Sequence, residues 1–238
     1  MTARESKRPA RRDAAPANTQ AVEDYAKAIF ALQRRLQAPV TTSALAARLN
    51  VAPSSVTAML KRLDDMELVE HEPYRGVRLT PSGEKVALEV MRHHRLIESY
   101  LSEALDMPWD RVHDEAEVLE HYISEELEEL IAAKLGDPSH DPHGDPIPDR
   151  NLTLPSDDES LALDELVPGQ SGTFARVSDS DPEMLRYLAK RGIAPGATLE
   201  VTSREPFGGP LVVRAEGVEH ALGGELAASM RMTGISGG

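Results

Sequence analysis

The chain of 238 residues contains no cysteine. Disulfides, iron–sulfur clusters and thiolate metal sites are therefore excluded, and a cytoplasmic location is expected. No apolar run reaches the roughly 18 residues that mark a membrane-spanning helix, and the N-terminus lacks the apolar segment of a signal peptide. The sequence thus predicts a cytoplasmic protein with no membrane span, in which oxygen and imidazole ligands would bind any metal ion.

Basic residues are scarce, with 26 Lys and Arg against 40 Asp and Glu and a net charge of −14. This average argues against nucleic-acid binding, but the charge is segregated along the chain. Residues 1–20 carry five basic and two acidic side chains, whereas residues 113–130 carry seven Glu and one Asp with no Lys or Arg. An acidic middle segment can therefore coexist with a basic, DNA-facing surface elsewhere.

Apolar residues make up 40% of the chain and charged residues 28%, which predicts a packed fold. Helical periodicity dominates the first part of the chain, and short β-rich runs follow it. We therefore predict a mainly α fold with a small β domain. Its predicted parts are a disordered basic tail 1–20, a DNA-binding domain 21–83, a helical domain 84–136, a Pro-rich linker 137–159 and a small β-barrel domain 160–238.

Residues 40–63 read VTTSALAARLNVAPSSVTAMLKRL. Thr42 or Ser43 can cap a short helix that ends near Leu49, and Pro53 suits the first position of a second helix. Two short helices joined by a tight turn are the layout of a helix-turn-helix, although a generic helical hairpin has the same pattern. The residues predicted to contact DNA from the second helix are Pro53, Ser54, Ser55, Thr57, Ala58, Lys61 and Arg62.

The next segment, LVEHEPYRGVRLTPSG from Leu68 to Gly83, has two short extended runs around a turn. This pattern predicts a β-hairpin, which after a helix-turn-helix forms the wing of a winged helix domain. We expect Arg75 and Arg78 of this wing to contact the DNA backbone.

The stretch HDEAEVLEHYISEEL, His113 to Leu127, contains no Gly or Pro and predicts one helix. On that helix His113, Glu117, Glu120 and His121 would lie within roughly a quarter turn of one another. Two imidazoles and two carboxylates so arranged suit a divalent transition metal, although an acidic amphipathic helix is the alternative. The apolar stripe predicted to face a core is formed by Ala116, Leu119, Ile123, Leu127 and Leu130.

A further helix is predicted from Glu84 to Leu105, with His94 and Glu98 one turn apart on it. This spacing lets both side chains reach one ion. Two apolar-striped helices after a winged domain indicate pairing with a second copy of the chain.

The segment DPSHDPHGDPIPDR, Asp137 to Arg150, has neither a helical nor a strand period. Its His140, Asp141 and His143 could be metal ligands, but turns are rich in Asp and Pro in any case. We therefore predict a partly extended linker. After it, the runs GTFARVS, ATLEVTSR and PLVVRAEG and one short helix, Pro182 to Arg191, predict the small barrel.

Taken in order, these motifs resemble the diphtheria-toxin-repressor family of metal-dependent transcriptional regulators, which includes a manganese-responsive branch. The resemblance covers the chain from Ala21 onward. It implies a winged helix-turn-helix, a helical dimerisation domain and an SH3-like (FeoA-like) barrel, a homodimer and an operator-DNA partner. The motifs that carry it are AVEDYAKAIFAL, APSSVTAMLKRLDDMELV, PYRGVRLTPSG, VMRHHRLIESYL, VHDEAEVLEHYISEEL, DPHGDPIP and GIAPGATLEV.

The resemblance also implies two metal sites per subunit. The first is implied at Asp24, Glu117, Glu120 and His121. The second is implied at His94, Glu98 and His113, and the SH3-like domain adds ligands in three-domain members. For these added ligands we expect Asp181 and Glu183.

The expected metal follows from positions at which this chain differs from one or the other branch of the family. The iron-responsive branch carries sulfur residues at the positions of Asp24 and Glu117, whereas both are carboxylates here, as in the manganese branch; hard oxygen ligands suit Mn(II). Compact two-domain manganese members, however, have an acidic ligand where this chain has Lys27. We expect a Mn(II)-dependent repressor of metal-uptake genes, with an Fe(II)-dependent repressor of iron-uptake genes as the alternative.

Two rival functions come from other classes. A carboxylate-bridged metalloenzyme would place Glu-x-x-His on each of two helices, and this spacing does not occur around Glu120 and His121. A winged-helix regulator that senses an organic ligand would bind its operator without metal. We expect neither an enzyme nor a small organic ligand, and no membrane partner.

Overall fold

A computed structural model of the chain describes residues 17–72, 74–155, 160–179 and 181–237. The predicted disordered tail covers residues 1–20, of which 1–16 lie outside the described residues; residues 17–20 are not disordered but belong to the first helix, Ala17–Leu36. The chain divides into two compact units, residues 1–90 with 121–128 and residues 91–120 with 129–238. Within the described ranges, no helix combines the length and the apolar character that crossing a bilayer requires.

The first unit is a helical domain with a two-stranded hairpin. Its core is built from apolar side chains of the first three helices and the hairpin, among them Ile29, Leu45, Leu63 and Val77, none of which is exposed to solvent. The elements are α1 (Ala17–Leu36), α2 (Thr42–Leu49), α3 (Pro53–Asp65), β1 (Val69–Glu72), β2 (Gly76–Leu79) and the start of α4 (Pro81–Leu105).

The helix-turn-helix follows from local signals in the sequence. Thr41, one residue before the predicted cap, accepts a hydrogen bond from the backbone of Ala44 and begins α2. Asn50 ends α2 in the left-handed conformation, and Pro53 begins α3, where its missing N–H costs nothing. The predicted pair of helices with a short turn is therefore confirmed.

The predicted wing is confirmed as an antiparallel hairpin in which Val69 pairs with Leu79. Its turn ends at Gly76, whose φ of +126° suits glycine. A side chain there would also overlap the carbonyl of Val40, which pairs with Val77 in an isolated β-bridge. The hairpin is thereby anchored to the segment just before α2.

The single helix predicted from His113 to Leu127 is wrong. The structure has two helices, α5 (Val112–Leu119) and α6 (Glu125–Lys134), separated by a turn that contains Glu120 and His121. The cause is Ser124, whose hydroxyl accepts the backbone N–H of Leu127 and so caps α6. A serine followed by acidic residues is a helix-start signal, and it was available in the sequence.

The predicted apolar stripe is wrong in part for the same reason. Ala116 is buried, but Leu119, Leu127 and Leu130 are exposed, Leu130 to 62%. The two helices that carry these residues therefore present apolar side chains to solvent in the single chain.

The C-terminal part of the second unit is one antiparallel six-stranded sheet, in the order β3-β8-β4-β5-β6-β7. Its core includes Phe174, Leu188, Val201 and Met232, all fully buried. The small β domain is thus confirmed, but as an open sheet; closure into a barrel stays a prediction. Its elements are β3 (Leu161–Ala162), β4 (Ser171–Val177), α7 (Pro182–Ala189), β5 (Thr198–Arg204), β6 (Leu211–Ala215), β7 (Val218–Leu222), α8 (Gly224–Ser229) and β8 (Met230–Ser236).

Several residues of the Pro-rich segment are packed against the rest of the second unit. His143 and Ile147 are buried, and Arg92 donates a hydrogen bond to the carbonyl of Pro148. Gly144, at φ +87°, lies so close to Ala175 of β4 that a side chain would overlap its carbonyl. The prediction of a partly extended linker did not include these contacts. They are made with residues distant in sequence, and the segment has no helical or strand periodicity that would indicate them.

Candidate metal centre and DNA-binding surface

The first group of candidate ligands is formed by His94 and Glu98 of α4, His113 of α5 and Asp179, which follows β4. His94 Nε2 lies 3.0 Å from Glu98 Oε1 and 3.2 Å from His113 Nδ1. His113 Nδ1 lies 3.0 Å from Asp179 Oδ2 and 3.4 Å from Glu98 Oε1. The structure therefore brings together the predicted His94, Glu98 and His113, and adds Asp179.

Asp179 was missed by sequence reasoning, which expected Asp181 and Glu183 as the ligands from the β domain. Asp181 instead begins α7, where its carboxylate accepts the backbone N–H groups of Glu183 and Met184. The closely spaced groups of candidate ligands among the described residues include Asp179 and neither Asp181 nor Glu183. The sequence shows that Asp179 lies two residues before the helix cap Asp181. The direction in which its side chain points, however, is set by the conformation of the loop.

Burial and charge shape the protonation of this group. Burial alone would raise the pKa of Glu98, but the surrounding imidazoles of His113, His143 and His94 outweigh it and hold the pKa well below its usual range. Hydrogen bonds to Asp179 and then Glu98 raise the pKa of His113 to about 10. In the absence of an ion, the negative charge of Glu98 and Asp179 is thus balanced by protons on imidazole.

The other nitrogen of His94 faces two further predicted ligands in the second unit. His94 Nδ1 lies 2.5 Å from Glu120 Oε2 and 3.9 Å from Glu117 Oε1. Glu120 follows the last turn of α5 and is buried, with 1% of its surface exposed, whereas the Glu117 side chain is 42% exposed. Glu117 and Glu120 therefore converge on one imidazole, as residues three apart on a helix can.

The first unit contains a separate pairing of predicted ligands. His121 Nε2 lies 3.1 Å from Asp24 Oδ1, and His121 Nδ1 lies 2.6 Å from Glu23 Oε2. Glu23 was not predicted, although it is next to Asp24 on α1. A proton held on Nδ1 by this carboxylate would leave the electron pair of Nε2 for a metal ion, the arrangement by which proteins orient a metal-binding imidazole.

The four-residue site predicted at Asp24, Glu117, Glu120 and His121 is therefore described in two parts. Asp24 and His121 belong to the first unit, and Glu117 and Glu120 belong to the second. Their convergence on one ion stays a prediction.

A third cluster lies in the second unit and includes two residues of the Pro-rich segment. Glu98, Asp141 and His143 are all buried, and each offers a ligand atom within 4.8 Å of the others. Sequence reasoning considered Asp141 and His143 as ligands but attributed them to turn composition. His140, the third residue considered, is exposed and lies beside Ser139.

The donor sets of these groups fit a divalent transition metal. They consist of imidazole nitrogens and carboxylate oxygens, without sulfur or amide groups, and several of the donors are buried. Buried carboxylates close to one another require a positive charge, and protonated histidine or a metal ion can supply it.

The predicted DNA-contacting residues lie mainly on the exposed face of α3. Pro53, Ser54, Ser55, Thr57, Ala58 and Lys61 are exposed, and Arg62 is half-buried. In the wing, the Arg75 side chain is 76% exposed and lies 3.9 Å from Glu72 Oε2, whereas Arg78 Nε lies 2.6 Å from Glu72 Oε1. The structure thus leaves Arg75 accessible and commits Arg78 to an ion pair within the hairpin.

Comparison with known proteins agrees with this organisation. Residues 18–77 match the iron-dependent repressor N-terminal DNA-binding domain, residues 80–149 match the metal-binding and dimerisation domain of the same family, and residues 161–232 match the FeoA domain. Together these matches account for most of the chain.

Individual relatives extend along nearly the whole chain. A diphtheria toxin repressor from Corynebacterium efficiens is 28% identical over 224 residues, which cover 90% of this chain and 96% of the relative. The iron-dependent repressor IdeR from Mycobacterium tuberculosis is 29% identical over 202 residues, 80% of this chain and 87% of the relative.

A solved structure of a manganese-dependent transcriptional repressor in complex with manganese superimposes with a TM-score of 0.81 at 41% identity, covering 89% of this chain and 98% of that one. The fold, the order of the domains and the candidate ligands lead to one conclusion: the chain belongs to the iron-dependent repressor family of metal-dependent, DNA-binding transcriptional repressors.

Proposed function

We propose that this protein is a Mn(II)-dependent repressor that binds operator DNA as a homodimer and controls genes of metal uptake and homeostasis. The observation that carries the proposal is the ligand set, in which Asp24, Glu117 and the other candidates are carboxylates or imidazoles and none contains sulfur. Hard oxygen ligands favour Mn(II) over metals later in the affinity series. The 41% identity to a manganese-dependent repressor supports the same choice.

Two metal sites per subunit are proposed. The first consists of Asp24, Glu117, Glu120 and His121. The second consists of His94, Glu98 and His113 with Asp179, because Asp179 contacts His113 whereas Asp181 caps a helix. Asp181 and Glu183 are therefore replaced by Asp179 in this proposal.

The chain's own residues explain how an ion could control DNA binding. Without a cation, the carboxylates of Asp24, Glu117 and Glu120 would repel one another when they approach. This repulsion disfavours any arrangement that brings the carboxylate of Asp24 close to those of Glu117 and Glu120. When bound, the ion neutralises these carboxylates and stabilises the arrangement in which they are close. The size of this stabilisation equals the difference between the ion's binding free energies for that arrangement and for the others.

A homodimer is supported by exposed apolar side chains on α5 and α6. Val118 is 61% exposed, Leu119 39% and Leu130 62%. Helices that expose several large aliphatic side chains gain free energy when a second copy covers them. A two-fold dimer would present two α3 helices to successive major grooves of the operator.

DNA recognition is assigned to α3 and the wing. The hydroxyl side chains of Ser54 and Ser55 are exposed at the start of α3 and can approach base edges or phosphates closely. Lys61 and Arg75 are exposed cations that can pair with phosphate.

The alternative is an Fe(II)-dependent repressor of iron-uptake genes, because iron-dependent repressors are among the relatives that match most of the chain. Operator fragments selected from genomic DNA in the presence of metal allow a direct comparison. Fluorescence anisotropy would be recorded anaerobically at matched free Mn(II) and Fe(II). We expect half-maximal operator binding at a lower free concentration of Mn(II); the reverse order would favour the iron-dependent alternative.

A further inference from the structure

The carboxylate of Glu98 has two sides with different surroundings. Its Oε1 lies within 3.4 Å of His94 Nε2 and His113 Nδ1, in the proposed second metal site. Its Oε2 lies 3.7 Å from His143 Nδ1, a separation too long for a hydrogen bond. Both Glu98 Oε2 and His143 Nδ1 are buried, and among the residues that the structure describes neither atom has a hydrogen-bond partner. Buried polar atoms of this kind call for a partner.

The orientation of His143 is fixed from its other side. Its Nε2 lies 2.8 Å from the carbonyl oxygen of Trp109, so that Nε2 carries a proton and donates it. The imidazole also stacks on the Trp109 ring, with the ring centroids 5.8 Å apart. In the neutral ring, the electron pair of Nδ1 therefore points toward the electron pairs of Glu98 Oε2. Metal-binding histidines typically donate their other ring N–H to a carboxylate or a backbone carbonyl, as Nε2 of His143 does here.

Asp141 adds a third donor and a second negative charge. Its side chain is only 3% exposed and lies beside Glu98 and His143. Backbone N–H groups of His143 and Asp145 donate to its Oδ1, while Arg95 Nε lies 3.6 Å from Oδ2. Asp141 therefore places a second buried carboxylate beside Glu98.

The loop that carries Asp141 and His143 is held in place by contacts with the β domain. Gly144 lies against the backbone of Ala175, and the backbone N–H of Val177 donates to the carbonyl oxygen of His143. The position of His143 is therefore set by the β domain and does not depend on a flexible linker.

We propose that Glu98 Oε2, Asp141 and His143 Nδ1 form a third divalent-cation site, with Glu98 bridging this ion and the ion of the proposed second site. An ion about 2.1 Å from each atom, the usual length of a bond from a divalent metal to nitrogen or oxygen, spans the gap between Glu98 Oε2 and His143 Nδ1. The competing arrangement has a proton on His143 Nδ1, a simple ion pair with Glu98 and no metal.

The test is the number of Mn(II) ions per chain, measured by equilibrium dialysis of the chelator-treated full-length protein at saturating Mn(II). We expect His143→Ala to bind one ion fewer than the wild type. The matched control is His140→Ala, which removes an exposed histidine from the same segment and should leave the number unchanged. Equal numbers for the wild type and a folded His143→Ala would overturn the proposal.

Electron paramagnetic resonance provides the second readout. Two Mn(II) ions that share the Glu98 carboxylate would give a spin-coupled spectrum in the wild type and in His140→Ala, and an uncoupled one in His143→Ala. An uncoupled wild-type spectrum at full loading would contradict the bridge.

If His143→Ala fails to fold by circular dichroism, Asp141→Asn replaces it, because the amide oxygen can still accept the two backbone N–H groups. We expect this variant to lose the same ion, and retention of the ion would overturn the proposal. The ion count requires no operator DNA, so failure of the proposed repressor function would be seen separately, as metal-independent DNA binding.

Discussion

His94 connects two groups of candidate ligands through the two nitrogens of one imidazole. Nδ1 lies 2.5 Å from Glu120 Oε2, and Nε2 lies 3.0 Å from Glu98 Oε1. A proton held on Nδ1 by Glu120 would leave the electron pair of Nε2 for a metal ion at the second site. Glu120, proposed as a ligand of the first site, therefore also orients a ligand of the second.

This link predicts that Glu120→Ala weakens Mn(II) binding at both proposed sites. Loss of a group that orients a metal-binding histidine typically costs about 10- to 100-fold in affinity. Glu117→Ala is the matched control, because Glu117 lies three residues earlier, on α5, but 3.9 Å from His94. We expect it to weaken only one binding step in isothermal titration calorimetry. A Glu120→Ala protein with one step at wild-type affinity would contradict the link.

A second prediction concerns Glu23, which lies 2.6 Å from His121 Nδ1. Glu23→Gln removes the charge that fixes the tautomer and orientation of His121, so we expect Mn(II) affinity at the first site to fall by about 10- to 100-fold. Glu103→Gln, an exposed substitution on α4, controls for the change of net charge. Equal affinities in the two variants would show that Glu23 is an ordinary surface carboxylate.

A third prediction separates the two arginines of the wing. Arg75→Ala should weaken operator binding and lower the slope of log affinity against log salt concentration by about one, as expected for one lost phosphate contact. Arg78→Ala should change the slope less, because Glu72 already neutralises Arg78 at 2.6 Å. The measurement is anisotropy over a salt series at saturating Mn(II), and a larger change for Arg78→Ala would reverse the assignment.

A fourth prediction concerns the packing of the Pro-rich segment. Gly144→Ala should destabilise the protein more than Gly217→Ala, although both glycines have positive φ. The strained backbone costs about 1–3 kcal/mol in either variant. At Gly144 the added methyl group also overlaps the backbone carbonyl of Ala175, whereas at Gly217 no atom of the described residues lies within 4 Å of it. Equal melting temperatures of the two variants in thermal unfolding would show that the segment accommodates the methyl group at Gly144 without a loss of stability.

Local features of the fold were predictable because short-range chemistry determines them. The cap before α2, Pro53 at the start of α3 and the wing with its glycine turn all follow from residues close in sequence. His94 and Glu98 were predictable as a pair because the helical repeat places them one turn apart. The break at Ser124 was also a local signal, and the absence of Gly and Pro concealed it.

Other features depend on tertiary packing. The approach of Asp179 to His113 is set by a loop of the β domain, and spacing along the chain does not report it. His143 is likewise buried because the next residue, Gly144, packs closely against β4. Exposure of Leu130 on α6 has its explanation outside the single chain, in the proposed dimer.

The most direct test of the central claim is operator binding with and without Mn(II), measured by fluorescence anisotropy for the wild type, Asp24→Ala and Glu120→Ala. We predict that the wild type binds tightly only when Mn(II) is present, and that both variants bind weakly with and without it. Binding that is equally tight without metal and unchanged by either substitution would contradict it.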